Sequence, residues 1–238
     1  MVSVPHTRST PQARPAWAGI AGGLCVAMLL TFVLQRYGGD VWLADRIYRW
    51  EGGHWALRDA WWTSRLLHEG GRLLTVLAWT AGAGVMILDA RRPVLSMQAR
   101  AALRYLVAAV ALCAVLVATL KRVSGIDCPW DLLRYGGVHD ASTALAGAGT
   151  CFPAGHAGAG YAWIALYFAL AHAAPRWRWR GLWGGLALGG VFGVTQQLRG
   201  AHFLSHDVAA LLLCIGVAMA LSVYWPWPPE TVRDARPR

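Results

Sequence analysis

"GLWGGLALGGVFGVTQQLRGAHFLSHDVAALLLCIGVAMALSVY", residues 181–224, decides how the chain is read. Two apolar runs, 181–198 and 208–226, enclose nine residues, 199–207, that hold an arginine, two histidines, a serine and an aspartate. A bilayer span needs about 20 mostly apolar residues, and lipid offers no hydrogen bonds to a bare backbone. Each run is therefore predicted to be a helix that crosses a membrane. Titratable groups between two such helices are expensive, and their presence asks for a chemical reason.

Four more apolar windows lie upstream, at 17–36, 72–89, 102–120 and 157–174. Hydrophobic residues make up 56% of the 238 positions and charged ones 14%, against about 25% charged in an ordinary soluble domain. The expected fold is all-α: a polytopic bundle of about six transmembrane helices forming one domain over 17–226, with polar tails at 1–16 and 227–238. The first window is too long for a signal peptide, and the "LQRYGGD" (34–40) after it offers no small-residue cleavage site. It is read as a retained helix.

The formal net charge is +10, which raises the question of nucleic acid. The distribution answers it. Arg8 and Arg14, Arg91, Arg92 and Arg100, Arg176, Arg178 and Arg180, and Arg233, Arg236 and Arg238 fall in segments that share one side of a six-helix topology, with few acids among them. That is the positive-inside pattern, with both termini cytoplasmic. No nucleic-acid partner is assigned. Segments 37–71, 121–156 and 197–207 then share the outer side. In the first, "DAWWTSRLLHEGGRLL" (59–74) spaces its apolar residues as an amphipathic helix does, and is expected to lie along the outer interface. Trp42, Trp50, Trp55, Trp61 and Trp62 read as an aromatic belt.

Three helix ends meet on that outer face. The third helix ends in "LKRVSGIDCPWDLLRYGGVHD" (120–140), the fourth begins at "CFPAGHAGAG" (151–160), and the fifth ends in "QQLRGAHFLSHD" (196–207). Lys121, Arg122, Arg134 and Arg199 are suited to an anion with several oxygens, such as phosphate. Gly155 and the small residues after His156 let backbone approach a ligand. His202 would serve as nucleophile or base and His156 as the acid for a leaving oxygen, with Asp207 or His206 orienting the His202 ring.

These residues resemble the membrane-bound type 2 phosphatidic acid phosphatases (PAP2), a family related to vanadium haloperoxidases. The family carries K-x6-R-P, P-S-G-H and S-R-x5-H-x3-D, and the resemblance covers about residues 70–225. Lys121, His156 and His202 stand at the family positions for the phosphate-binding lysine, the general acid and the histidine that becomes phosphorylated. Cys128 stands where the first motif has Arg, Ala154 where the second has Ser, Thr195 and Gln196 where the third has Ser-Arg, and His206 where it has Asp. Arg199, one turn beyond Gln196, would replace one guanidinium, and Arg122 or Arg134 the other. "CPWDL", "YGG" and "RGAHFLSH" resemble a divergent bacterial subgroup. Cys128 and Cys151 share the outer segment and are expected to pair there in an oxidising compartment.

The resemblance implies a metal-independent phosphatase or phosphotransferase in the bacterial cytoplasmic membrane, with its site facing outward. It would act on a membrane lipid phosphate or diphosphate through a phosphohistidine, with no cofactor and no obligate protein partner. Candidate substrates are undecaprenyl diphosphate, phosphatidic acid, phosphatidylglycerol phosphate and lipid A phosphates. Two readings compete. His202 and His206, four residues apart, would share a helix face and could hold a metal in a hydrolase or transporter, with Asp207 and His156 nearby. A non-catalytic lipid-binding homologue is the other. A serine-hydrolase reading finds no G-x-S-x-G.

Overall fold

The computed structural model describes residues 16–140 and 149–229. The terminal tails and most of the Ala/Gly/Thr-rich connector before Cys151 lie outside the described residues. The chain forms α1 (Ala16–Arg36), α2 (Gly39–Trp50), α3 (Gly71–Arg91), α4 (Met97–Val123), α5 (Gly155–Tyr161), α6 (Ala165–Ala173), α7 (Arg178–Leu198) and α8 (Leu204–Tyr224). No strand occurs among the described residues, and the all-α expectation holds.

Each of the six apolar windows coincides with helix. The fourth is made of α5, a 3-10 turn at Ala162–Ile164, and α6. Three helices are long and apolar enough to cross a membrane: Trp62–Arg91, Met97–Val123 and Leu204–Tyr224. Only 11% of the most apolar stretch of the first is buried within the protein. Its Leu73, Leu74, Leu77, Ile87 and Leu88 face outward, a surface that lipid would cover and water would not.

The stretch at 59–74 corrects the sequence reading. From Trp62 it runs as a π-helical segment to Gly70 and passes directly into α3, giving 30 continuous helical residues. Gly70 and Gly71, which as a pair suggest a break, both keep right-handed helical dihedrals. Gly71 lies against the Phe192 ring, where a Cβ would stand 2.6 Å from Cε1. The stretch is thus continuous with the long apolar helix rather than a separate helix.

Helices α5–α6 and α7 approach closely along a glycine face. Gly181, Gly185 and Gly189 recur every four residues on α7, the small-xxx-small spacing that lets backbones touch where there is no hydrophobic drive between helices. A Cβ on Gly185 would stand 2.5 Å from the Ile164 backbone nitrogen, and one on Gly189 would enter the Tyr161 ring. Gly184 faces open space. Gly185→Leu is therefore expected to cost about 3 kcal/mol or more by overpacking, while Gly184→Leu leaves the thermal midpoint in detergent near wild type. Equal midpoints for the two variants would contradict this packing.

Polar anchors fix the ends. At the α3–α4 turn, Asp89 Oδ1 accepts from the backbone N–H of Val94 (2.9 Å) and Leu95 (2.8 Å), and Oδ2 accepts from Arg100. At the other end of the bundle, Asp40 Oδ1 on α2 accepts from the Ser205 N–H at 2.8 Å. A carboxylate there satisfies an orphan donor in the first turn of α8 and opposes the positive end of its dipole. Helix α2, the loop after it and segment 128–139 form a small cap in which Tyr48, Trp55 and Tyr135 pack ring to ring at 5.2–5.5 Å. Trp42, Trp50, Trp61 and Trp62 are exposed, as belt residues would be, whereas Trp55 belongs to the cap.

Candidate active site

Lys121 comes from the last turn of α4, His156 from the first turn of α5, Arg199 from the end of α7, His202 from the link into α8 and His206 from the first turn of α8. The fold brings these three chain regions to one end of the bundle. Gly200, at φ 68°, makes the turn after α7, and a Cβ there would strike the Trp55 indole. Its carbonyl accepts from the Trp130 N–H at 2.9 Å, which ties the turn to the cap.

His202 and His206 are both buried, and their Nδ1 atoms are 3.4 Å apart. The Cys151 backbone lies beside both rings. Burial, then His206, Lys121 and His156, hold the His202 imidazole well below its usual pKa, so it is neutral with a lone pair to offer. Cys151 is joined to Cys128 by a disulfide with a Cα separation of 5.3 Å. Closing a loop of this size is worth about 3 kcal/mol in the chain-entropy model, and it fixes the segment that leads into His156. Position 128, the motif arginine in the family, is thereby committed to a covalent structural link.

Asp207 does not reach the His202 ring. Its Oδ2 accepts from Gln197 Nε2, and Gly193 leaves room for the carboxylate between α7 and α8. The group beside His202 is His206. With Asp207 turned away, the proposed metal set loses its carboxylate. The grouping of three metal-ligand side chains among the described residues is Cys128, Asp131 and Cys151, whose two sulfurs are bonded to each other.

The cations sort as well. Arg199 is buried; its Nε donates to the Arg58 carbonyl at 2.8 Å and its Nη1 to Gln196 Oε1 at 3.2 Å. Gln196, standing where the family has arginine, thus orients the arginine one turn on. Arg134 is not in the cluster: it pairs with Asp45 on α2, Nε to Oδ1 at 2.7 Å, beside the Tyr135 hydroxyl. Arg122 is exposed on α4. Lys121 lies over Gly155, where a Cβ would stand 3.5 Å from Nζ.

Sequence reasoning missed two members. His68, in the π-helical segment, stacks on His156 with ring centroids 4.0 Å apart. Arg72, four residues on, lines a cleft of about 540 Å³ together with Lys121, Gly155 and His156. A π-helical segment is rare and recurs at functional sites. The signal was legible in part, since His68 and Arg72 share one face of a stretch already read as helical. Below these charges the cleft is apolar, with Val76, Trp79, Val110 and Ala114 among its walls. From Lys121 to Val110 it descends about 16 Å at helical rise, roughly half of a ~30 Å hydrocarbon core.

At one end of a helical bundle compatible with a membrane protein, imidazoles and cations gather, and His156, Lys121 and Arg72 among them line an apolar cleft. The chain belongs to the PAP2 superfamily, whose family model matches residues 102–230. Membership supports phosphatase activity on phosphate esters. No curated protein and no solved structure matches the chain.

Proposed function

We propose that this chain is a metal-independent lipid phosphatase or phosphotransferase of the bacterial cytoplasmic membrane, facing outward, that acts through a phosphohistidine on His202. One observation carries the reading: Lys121, His156 and Arg72 stand at the mouth of a cleft whose depth is apolar and about one leaflet long. That shape suits a phosphate headgroup whose tail stays in the membrane.

In this reading Lys121 and Arg199 hold the phosphoryl oxygens. The His202 Nδ1–H is donated to His206 Nδ1, which leaves the Nε2 lone pair to attack phosphorus in line. As the P–N bond forms, the bond to the leaving oxygen breaks, and His156 gives that oxygen its proton. Burial, then His68, Lys121, Arg199 and Arg72, push the pKa of the His156 imidazole down to about 3; the bound dianion supplies the negative charge this cationic site otherwise lacks and so raises it toward the protonated form. Water, or an acceptor hydroxyl, then attacks phosphorus and passes its proton to His156, and the P–N bond breaks. Positioning and charge neutralisation provide most of the acceleration.

The test is phosphate release by the purified full chain in detergent, with excess EDTA, from phosphatidic acid and from glycerol 3-phosphate. Release from the lipid at least tenfold faster, and unchanged by EDTA, supports the reading. Equal rates would overturn the lipid assignment. Loss with EDTA and recovery with a divalent ion would favour the metal site at His202 and His206.

A further inference from the structure

We propose that Arg72 is the second guanidinium of the phosphate site, supplied by the first long span in place of the arginine that the family motif puts at position 128. This rests on the phosphate-site reading above. Cys128 cannot provide a cation, because it is 6% exposed and bridged to Cys151. Arg134 is occupied by Asp45, and Arg122 is not among the residues that line the cleft. Arg72 does line it, beside Lys121 and His156. Among the described residues no carboxylate pairs with its side chain; Glu69, the nearest acid on its own helix, is paired with Arg65 at 3.2 Å. Arg72 is also close enough to act electrostatically on both stacked imidazoles, His68 and His156.

The placement has a chemical consequence. Arg72 and Lys121 both line the cleft beside His156, with Thr75 and Val76 following on the helix of Arg72, whereas Arg199 is not among the lining residues. A phosphate at this end of the cleft, with its tail among Val76, Trp79 and Val110, is within reach of Arg72. Its planar fork can take two phosphate oxygens at once. Residue 72 lies ahead of the family-matched region, so the guanidinium has moved to a different helix.

The experiment uses the full chain in detergent and two readouts. Lipid phosphate hydrolysis is measured for wild type, Arg72→Gln, Arg72→Lys, Arg122→Gln and, as a control on the same helical stretch, Arg65→Gln. Thermal midpoints are measured in sodium phosphate against sodium chloride at matched ionic strength. Arg72→Gln is expected to lower kcat/KM by about 10- to 100-fold, the loss of charge-assisted hydrogen bonds, chiefly through KM, and to shrink the phosphate-induced shift. Arg72→Lys, which keeps the charge without the fork, falls between. Wild-type values for Arg72→Gln in both readouts would overturn the proposal alone, as would a larger loss in Arg122→Gln. A wild-type protein that neither releases phosphate nor is stabilised by it would overturn the phosphate-site reading, and this inference with it.

Discussion

Phosphate release by the His202→Ala protein is expected to fall by about four orders of magnitude or more, the scale seen when a covalent nucleophile is removed. The reason is positional. Burial and neighbouring cations keep the ring neutral, so its nucleophilic form persists well into acid. The acidic limb of kcat/KM due to this residue should accordingly lie well below the usual histidine pKa of about 6.5. His206 is 3.4 Å away, Nδ1 to Nδ1, and in the proposed mechanism it takes the place of the family aspartate. Unlike a carboxylate, it adds no negative charge to steady the imidazolium that forms on attack, and the cations must do so through the phosphate they hold. The purified variant should keep its thermal midpoint to within a few degrees, because His202 lies in the turn between α7 and α8 and not within a helix. Activity within tenfold of wild type would remove His202 from the chemistry.

The second large effect is at His156. Its Nε2 is buried with no hydrogen-bond partner among the described residues, a position that normally costs free energy unless a ligand fills it. As general acid it should contribute about 10²–10⁴-fold, and only where the leaving oxygen needs a proton. His156→Ala is thus expected to lose that factor on an alkyl ester such as phosphatidic acid, and far less on p-nitrophenyl phosphate, whose leaving group departs as an anion. Steady-state rates on the two substrates make the comparison. Equal losses on both would mean that His156 binds phosphate or supports structure instead. The stacked His68 ring limits rotation of His156, which keeps Nε2 aimed at one point.

The helices were legible because their signals are local. Six long apolar windows read directly from neighbours in sequence. Lys121, His156 and His202 were legible by motif spacing. What was hidden depends on contacts across the chain. Whether Asp207 faces His202 or Gln197 is decided by the room that Gly193 leaves on another helix. Arg134 looked as available as Arg199 until α2, itself unforeseen, brought Asp45 against it. The stretch at 59–74 reads as an interfacial helix, yet it runs unbroken into α3, with Gly71 against Phe192, and this continuity delivers His68 and Arg72 to the site. The sequence named the right stretch for them and gave it the wrong place in the fold.

The central claim is covalent phosphorylation of His202. Its most direct test is to quench the full chain in alkali within milliseconds of mixing with lipid phosphate labelled in its phosphoryl group, then to locate the label by peptide mapping. The account predicts label that is stable to alkali and labile to acid, on the peptide that carries His202, and absent from the His202→Ala protein. Turnover without a labelled protein, or label on a residue other than His202, would contradict it.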